Sequence, residues 1–343
     1  MEIIEKSTNT HEQVLIGRDA ASGYRGIIAV HSTALGPAVG GTRFWHYASD
    51  EEALTDALRL SQGMTYKSAL AGLQLGGGKS IIIGNNQAPN REALLRAHGR
   101  FVDTLKGRYI TAEDVGTSPA DMEIVRLETQ HVAGLLGGSG DPSPYTARGV
   151  FRAIQASTRF LWNTDDLSGL TVAIQGCGHV GYSLAEMLHE AGAKLIVTDV
   201  NRNNMSRTVD DFAAETVPPG KIFSVQADVF APCALGGVIN DLTIPELKVQ
   251  IVAGSANNQL LEERHGAILR DRNILYAPDY VANAGGILNG CTELLGWEAD
   301  HAARKVDEIY DTILTIFETA QAEGITTNKA ADRLAEDRLT RRA

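Results

Sequence analysis

Two lysines in glycine-rich and otherwise apolar segments are the first candidates for chemistry. Lys67 ends the run Gly-Met-Thr-Tyr-Lys, and Lys79 directly follows the three glycines at positions 76–78. Three consecutive glycines are costly to order, which indicates that some group must approach this backbone closely. Two partly buried ammonium groups near each other would lose basicity, with pKa values falling from about 10.4 towards roughly 7–8. The segments therefore predict a lysine that can act as a base at neutral pH.

Asp114 is the third candidate for acid–base chemistry. It lies in the run Thr-Ala-Glu-Asp-Val-Gly, just after a short predicted strand and close to Gly116. Carboxylates at strand ends are well placed to shuttle protons, because such loops carry reactive groups on a rigid scaffold. Asp114 and Lys79 together predict general acid–base catalysis.

The glycines before Lys79 also resemble a phosphate-binding P-loop, but the spacing is wrong. A P-loop has a glycine six residues before its lysine, whereas position 73 is leucine and Gly72 is one residue too early. A solvated surface charge is the commoner role of a single lysine. That role fits Lys67 and Lys79 poorly, because glycine and apolar residues surround both.

A second glycine-rich loop, Gly-Cys-Gly-His-Val-Gly over 176–181, has the spacing of a dinucleotide-binding motif. A predicted strand over 170–175 precedes it, and a predicted helix over 180–191 begins inside it. In that context Gly176 permits a tight turn, Gly178 lets a pyrophosphate approach the backbone, and Gly181 allows close helix–strand packing. The helix N-terminus supplies free N–H groups for the phosphates.

Asp199 follows the next predicted strand, 194–198, about 20 residues after the loop. A carboxylate there can accept hydrogen bonds from the ribose hydroxyls and would repel a 2′-phosphate, which favours NAD over NADP. The nearby Arg202 leaves some NADP use open. A glycine turn with a surface acid is the alternative interpretation, but strand, loop, helix and acid together favour a nucleotide site.

Alternating helix and strand signals surround these candidates. Ser49 and Glu52 have the spacing of a helix-capping box, and an apolar stripe over 53–60 follows them. Short strands and amphipathic helices continue along the chain. Strands are predicted over 80–83, 108–111, 229–231, 251–253 and 274–277, and helices over 90–105 and, with a break near Gly324, over 298–342. The alternation predicts an α/β fold whose nucleotide domain is a doubly wound, Rossmann-type parallel sheet.

Turn-forming residues over 137–144, Gly-Gly-Ser-Gly-Asp-Pro-Ser-Pro, mark the best candidate for a hinge. The hinge would separate a substrate-binding and catalytic domain, 1–136, from a Rossmann NAD-binding domain, 137–324. The C-terminal helix, 325–343, is predicted to pack with the first domain. Closure at this hinge would exclude water during the reaction.

Composition excludes several classes of function. The net charge of −11 over 343 residues argues against nucleic-acid and anionic-membrane binding, since both need a basic surface. The three cysteines form no CxxC pair, so neither a disulfide framework nor a metal site is expected. The first residues carry no apolar run, and no stretch reaches the roughly 18 apolar residues that span a bilayer. A cytoplasmic protein is expected.

Several segments together resemble the Glu/Leu/Phe/Val amino acid dehydrogenase family, and within it the leucine type most. They are the lysine segments over 63–67 and 76–79, the Asp114 segment over 111–116, and the segments over 231–236, 253–259 and 278–286. The resemblance runs from about His11 to Arg338.

The resemblance implies a role for each matching residue. Lys67 would hold the substrate carboxylate, Lys79 would activate water, and Asp114 would exchange protons with the amino group. Gly40 and Gly41 would lie beside the substrate, and Asn257 or Asn258 would help to place it against the cofactor. The implied cofactor-binding residues are Thr146, Gly176, Gly178, His179, Val180, Gly181, Asp199, Ala231, Pro232, Cys233, Ala253, Ala256 and Asn283.

The resemblance also implies NAD-dependent oxidative deamination of an apolar L-amino acid to a 2-oxo acid and ammonium, and the reverse reaction. The side-chain pocket would be lined by Val39, Ala112, Ile287 and Gly290, none of them charged. Overall similarity favours leucine or another branched-chain substrate. The small Gly290 enlarges the pocket and keeps phenylalanine or another aromatic substrate open.

Three further interpretations bear on assembly and function. The short tail after Arg338 favours a homodimer. Another Rossmann enzyme of amine chemistry, such as an imine reductase or cyclodeaminase, would not explain the paired lysines. An NAD-sensing protein without turnover would predict loss of Lys67, Lys79 or Asp114, and all three are present.

Overall fold

The structure, a computed structural model that describes residues 1–341, contains two compact units. Unit 1 comprises residues 1–140, 290–297 and the described residues from 335 onwards. Unit 2 comprises residues 141–289 and 298–334. The predicted hinge over 137–144 contains the first dividing point.

The division of the tail differs from the sequence prediction, which assigned 325–343 to the first domain and all of 137–324 to the second. Hydrogen bonds explain the difference. Thr327 and Asp332 bond Tyr276 and Tyr280 of unit 2. Beyond residue 334, by contrast, Arg338 donates to the carbonyl oxygens of Ala69 and Leu70 in unit 1. Residues 290–297 join unit 1 because the Glu293 carboxylate accepts from the backbone N–H groups of residues 134 and 135.

Unit 1 is built on a six-stranded mixed sheet in the order β1-β2-β3-β5-β4-β6. The first three strands form an antiparallel meander, and β4 lies parallel to both β5 and β6. Apolar side chains such as Ile28, Phe44 and Phe101 fill the core beside it. The strands are β1 Glu2–Glu5, β2 Gln13–Asp19, β3 Tyr24–Ser32, β4 Ala38–Trp45, β5 Gly76–Ile83 and β6 Tyr109–Glu113.

Helices α1 Asp50–Leu70 and α2 Arg91–Asp103 connect strands of unit 1, and α3 Pro119–Arg126 follows β6. Helix α1 begins where predicted, because the Ser49 side chain accepts from the backbone N–H of Glu52. The Glu52 carboxylate bonds the N–H of Ala48 rather than that of Ser49. The second hydrogen bond of the capping box therefore goes to the residue before the N-cap.

Unit 2 contains a parallel six-stranded sheet in the order β12-β11-β10-β7-β8-β9. In chain order this is the arrangement 3-2-1-4-5-6 of the Rossmann fold, with the switch point between β7 and β10. The predicted α/β class and doubly wound nucleotide domain are confirmed. The strands are β7 Thr171–Gln175, β8 Lys194–Thr198, β9 Glu215–Thr216, β10 Val229–Pro232, β11 Ile251–Val252 and β12 Leu275–Tyr276.

The remaining helices include the predicted helical tail, which breaks at Gly324 in a left-handed conformation with φ +66°. Among the described residues, no helix is both long and apolar enough to cross a membrane. The helices are α4 Ser143–Trp162, α5 His179–Glu190, α6 Arg202–Phe212, α7 His265–Asp271, α8 Asp279–Ala282, α9 Gly285–Leu294, α10 Ala299–Asp307, α11 Ile309–Glu323 and α12 Thr327–Thr340.

Candidate active site

The acid–base candidates of unit 1 meet on three adjacent parallel strands. Lys79 lies on β5, Arg43 on the central strand β4, and Asp114 directly after β6. Strand β4 pairs with β5 on one side and with β6 on the other. Because the strands run in the same direction and lie side by side, they bring these three side chains to one place.

The Asp114 carboxylate pairs with two cations. Its Oδ2 accepts from Nζ of Lys79 at 2.8 Å and from Nε of Arg43 at 2.9 Å. The Lys79 side chain is 6% exposed, and those of Arg43 and Asp114 are 21% and 24% exposed. Asp114 thus retains access to solvent while Lys79 is almost completely enclosed.

The ion pairs continue from Arg43 towards helix α1. Nη1 of Arg43 donates to Oδ2 of Asp56 at 2.8 Å, and the Tyr47 hydroxyl donates to the same oxygen at 2.7 Å. Arg59 bonds the other oxygen of Asp56 at 3.1 Å. Charges therefore alternate in sign from Lys79 through Asp114, Arg43 and Asp56 to Arg59.

Burial and neighbouring charge set the protonation of this cluster. Burial lowers the pKa of Lys79 from its ordinary value; the Asp114 charge opposes this effect, and the Arg43 charge adds to it. Arg43 is thus a like charge that acts on Lys79. Burial alone would raise the pKa of Asp114, but Lys79 and Arg43 outweigh it, so that pKa is lowered.

The glycines of these strands are needed for close packing within unit 1. A Cβ at position 77 would lie 2.5 Å from Cα of Thr65 in α1. At position 40 it would lie 2.6 Å from the carbonyl carbon of Gly78, and at position 41 it would lie 2.8 Å from Cβ of Asp114. The group that approaches the glycines before Lys79 is therefore protein, including the helix that carries Lys67.

Polar side chains pack on strands β4, β5 and β6 beneath the site. Oγ1 of Thr42 lies 2.9 Å from Oγ of Ser80, 2.5 Å from Oγ1 of Thr111 and 2.9 Å from Nε2 of His98. The Tyr24 hydroxyl bonds Nδ1 of His98 at 2.8 Å. Burial lowers the pKa of His98 to about 3, so this histidine is a neutral link between side chains of β3, β4 and β5.

The predicted substrate-binding residues are distributed over both units. Lys67 is half-buried in the last turn of α1, Val39 is buried on β4, and Ala112 is half-buried on β6. Ile287 and Gly290 lie on α9, on either side of a dividing point between the units. Apart from residue 290 itself, its neighbours in the chain and the backbone of its own helix, no atom of the described residues lies within 4 Å of the place where a Cβ of residue 290 would stand.

The glycine loop of unit 2 joins β7 to α5 as the motif requires. Gly176 has φ +99°, and a Cβ on Gly181 would lie 2.9 Å from the carbonyl carbon of Gly176. At Gly178 the space is open to 4 Å within residues 1–341. Helix α5 begins at His179 without a side-chain cap, so its first N–H groups are free to bind an anion.

Asp199 lies immediately after β8 and is bonded to this loop. Its Oδ2 accepts from the N–H of Cys177 at 2.6 Å, and its Oδ1 accepts from the N–H of Asn201 at 2.6 Å. Both oxygens are therefore held in place at the end of the strand. The carboxylate keeps further acceptor capacity, because each oxygen has two lone pairs.

The other predicted cofactor-binding residues lie at neighbouring strand ends of unit 2. Ala231 and Pro232 end β10, and the N–H of Cys233 donates to the carbonyl of Gln175. Ala253 follows β11, and the N–H of Ala256 donates to Pro232.

Two asparagine side chains meet beside these strand ends. Nδ2 of Asn283 donates to Oδ1 of Asn257 at 2.8 Å, whereas Oδ1 of Asn283 is buried without a partner among the described residues. Asn258 is exposed next to Asn257, with a left-handed φ of 53°. Thr146 is half-buried in the first turn of α4, and its hydroxyl donates to Pro142.

Both units match family models over their length. The model described as "Glu/Leu/Phe/Val dehydrogenase, dimerisation domain" matches residues 8–131. The model described as "Glutamate/Leucine/Phenylalanine/Valine dehydrogenase" matches residues 137–201 and 196–342. The chain belongs to the Glu/Leu/Phe/Val dehydrogenase family. The resemblance inferred from the sequence motifs is confirmed.

Individual relatives of this dehydrogenase span nearly the whole chain. A leucine dehydrogenase of Thermoactinomyces intermedius is 55% identical over 96% of this chain and 91% of its own. An L-tryptophan dehydrogenase of Nostoc punctiforme is 48% identical over 96% of this chain and 94% of its own. A crystal structure of L-tryptophan dehydrogenase from the same organism covers 97% of both chains with a TM-score of 0.89 at 47% identity. The chain is therefore an amino acid dehydrogenase of the class that uses a pyridine nucleotide.

The ion-pair cluster around Lys79 and Asp114 contains two residues that the sequence alone did not identify, namely Arg43 and Asp56. Arg43 stands in the otherwise uncharged strand Ala-Val-Gly-Gly-Thr-Arg-Phe-Trp. Side chains alternate along a strand, so an arginine two residues after Gly41 points to the same face as that glycine. This signal could have identified Arg43, but no local signal distinguishes Asp56 from the other acidic residues of α1.

Proposed function

We propose that this dehydrogenase catalyses the NAD-dependent oxidative deamination of an apolar L-amino acid, with leucine or another branched-chain amino acid preferred, and the reverse reductive amination. The observation that carries the proposal is the enclosed Lys79–Asp114 pair. In this pair Lys79, whose pKa is lowered, contacts a carboxylate with which it can exchange protons. The relatives named for leucine support the substrate.

Lys79 and Asp114 would perform the proton transfers. Ionised Asp114 would first accept a proton from the substrate ammonium group, and bound NAD would supply the two-electron oxidation of the Cα–N single bond to an iminium. Neutral Lys79 would take one proton from water as the water oxygen attacks the imino carbon, and Asp114 would return its proton to the nitrogen. The C–N bond then breaks, the hydroxyl proton passes to the ionised Asp114, and ammonia leaves as the 2-oxo acid forms. General acid–base assistance of this kind contributes about 10²–10⁴-fold to a rate.

The remaining residues of unit 1 would hold the substrate. The Lys67 ammonium would pair with the substrate carboxylate. Gly40 and Gly41 would leave room beside the substrate, because the strand has no side chain there. Val39 and Ala112, with Ile287 and Gly290 of α9, would accept an apolar side chain, and Asn257 or Asn258 would orient the reacting carbon. No charged group is among these lining residues, which disfavours glutamate.

The glycine loop and Asp199 support NAD as the cofactor. Open space at Gly178 and the uncapped start of α5 fit a pyrophosphate. Asp199 is held by two backbone N–H groups, so it cannot easily turn away from a 2′-phosphate, and its charge would repel one. The buried Oδ1 of Asn283, which has no partner among residues 1–341, would accept from an amide N–H of the nicotinamide end. Thr146, His179, Val180 and the strand-end residues would line the same cofactor.

An aromatic-preferring dehydrogenase is the second candidate. The observation in its favour is the open space at Gly290, and relatives named for tryptophan and phenylalanine are 48% and 47% identical to this chain.

A homodimer is the proposed assembly. Light scattering after size-exclusion chromatography would contradict it by giving the mass of a larger oligomer.

The test is the formation of NADH from NAD with single L-amino acids: leucine, valine, isoleucine, methionine, phenylalanine, tryptophan and glutamate. Turnover with apolar amino acids that is lost in Lys79→Ala is expected. An unchanged melting temperature of Lys79→Ala serves as the folding control, and its NAD binding shows that the nucleotide site of the other unit is intact. NAD binding by the wild type without turnover of any amino acid would instead favour a binding protein. A higher kcat/KM for phenylalanine than for leucine would favour the second candidate.

A further inference from the structure

We propose that Arg43 is a positioning residue of this reaction, which holds the Asp114 carboxylate through one oxygen and leaves the other directed to the substrate amino group. This inference rests on the proposed function. The hydrogen bonds from Lys79 and Arg43 to Asp114 both end on Oδ2. No described residue donates to Oδ1, although the side chain is partly open to solvent. The carboxylate therefore has one oxygen for the protein and one for a ligand.

Arg43 is itself held from two sides, as a positioning residue must be. Nε meets Asp114, and Nη1 meets Asp56 on α1. The Tyr47 hydroxyl bonds Oδ2 of Asp56, the oxygen that Arg43 also contacts. The planar guanidinium donates in fixed directions, so the contacts of Arg43 with Asp114 and Asp56 fix the plane in which Oδ2 of Asp114 is held.

A permanent charge beside Asp114 matters because the charge of Lys79 changes during the reaction. When Lys79 loses its proton, Asp114 loses its nearest ionised partner. Arg43 keeps its charge at every pH at which the protein is folded and so continues to favour the carboxylate. Glu113 and Tyr109, two other titratable groups beside Asp114, offer no substitute, because they carry negative charge or none.

The charge of Arg43 also acts on Lys79, whose pKa it lowers. Removing that charge should therefore raise the pKa values of both Lys79 and Asp114. For oxidative deamination, kcat/KM falls at low pH as Lys79 becomes protonated. Arg43→Gln should thus move this acidic limb upward by about one pH unit. At a pH below the limb, that shift alone lowers kcat/KM about tenfold, in addition to any loss from misplacement.

The experiment compares pH profiles of kcat and kcat/KM for the wild type, Arg43→Gln, Arg43→Lys and Arg59→Gln. Arg43→Lys keeps the charge and should restore the position of the limb, but kcat should stay lower because one ammonium cannot bond both Asp114 and Asp56 in the same geometry. Arg59→Gln is the matched control, since it removes a cation that bonds Asp56 and not Asp114. Its profile should coincide with that of the wild type.

Two results would overturn the role of Arg43. One is an Arg43→Gln profile that is scaled down equally at every pH without a shift, as expected for a merely structural residue. The other is an equal shift in Arg59→Gln. If the wild type turns over no amino acid, the proposed function fails by itself. Trace acetylation of Lys79 with acetic anhydride, measured by mass spectrometry against pH, then tests Arg43 separately. The midpoint should rise in Arg43→Gln, and an unchanged midpoint would refute the inference.

Discussion

Nζ of Lys79 donates to Oδ2 of Asp114 at 2.8 Å from a position that leaves only 6% of the lysine side chain exposed. The pair thus places two proton-exchanging groups in contact, but burying the charge of Lys79 reduces the stability of the folded state. A buried ammonium group loses hydration that a single carboxylate only partly replaces. This explains why the pKa of Lys79 is lowered although it has an ionised partner.

The first prediction concerns Lys79→Met and the free energy of unfolding. Because the pKa of Lys79 is lower in the folded state, the unfolded chain binds more protons between that pKa and the ordinary value near 10.4. Wild-type stability should therefore rise with pH in this window, relative to the variant, which has no group that titrates there. Urea unfolding at pH 7, 8, 9 and 10 measures the difference. A difference that is constant with pH would show that burial does not disfavour the charge of Lys79.

His98 provides a second prediction, at acidic pH. Its folded pKa is about 3, against an ordinary value of 6.5, so the unfolded chain binds the extra proton between these values. At pH 7, His98→Gln should cost about 1–3 kcal/mol, because buried partners of the ring lose hydrogen bonds. This wild-type advantage should shrink as pH falls below 6.5, since only the wild type must keep a buried histidine neutral. Urea unfolding between pH 7 and 4.5 would contradict the prediction if the two curves ran parallel.

Gly77 provides a third prediction, about packing rather than charge. A Cβ there would meet Cα of Thr65 at 2.5 Å, so Gly77→Ala must displace α1 from β5. Overpacking of this kind costs about 1–3 kcal/mol, and KM for the amino acid should rise because Lys67 lies on the displaced helix. Gly63→Ala is the control, since a Cβ there meets no described atom within 4 Å. Better helix propensity should stabilise that variant by up to about 1 kcal/mol. Equal melting temperatures for the two variants would contradict the argument.

Local patterns explain which parts of the fold could be predicted from sequence. The start of α1, the β7–α5 turn and the break at Gly324 are each set by residues close together in the chain. The nucleotide motif was recognisable because its three glycines, strand and helix fall within one short segment. The lysines and Asp114 could be singled out for the same reason, since each stands in a distinctive run of residues.

Contacts between distant segments could not be predicted in this way. The bond from Arg43 to Asp114 depends on β4 lying between β5 and β6, an order that no local pattern specifies. The three glycines before Lys79 indicated a close approach, but only the packed structure identified the approaching groups as Ser32 at Gly76, Thr65 at Gly77 and Tyr109 at Gly78. The division of the tail near residue 335 likewise depends on hydrogen bonds such as that from Arg338 to Ala69.

Gly290 leads to the last prediction, which concerns substrate choice. A Cβ at this position would meet no atom of residues 1–341 within 4 Å, so Gly290→Ala and Gly290→Val should be accommodated without loss of stability. If Gly290 borders the side-chain pocket, each added methyl group should exclude an aromatic ring more than a branched aliphatic chain. Differences of one or two methylene-sized groups are worth about 1–3 kcal/mol. The ratio of kcat/KM for leucine to that for phenylalanine should therefore increase about tenfold or more in Gly290→Val, with Gly290→Ala in between and KM for NAD unchanged. An unchanged ratio in both variants, with normal melting temperatures, would place the determinant of substrate choice elsewhere in the chain.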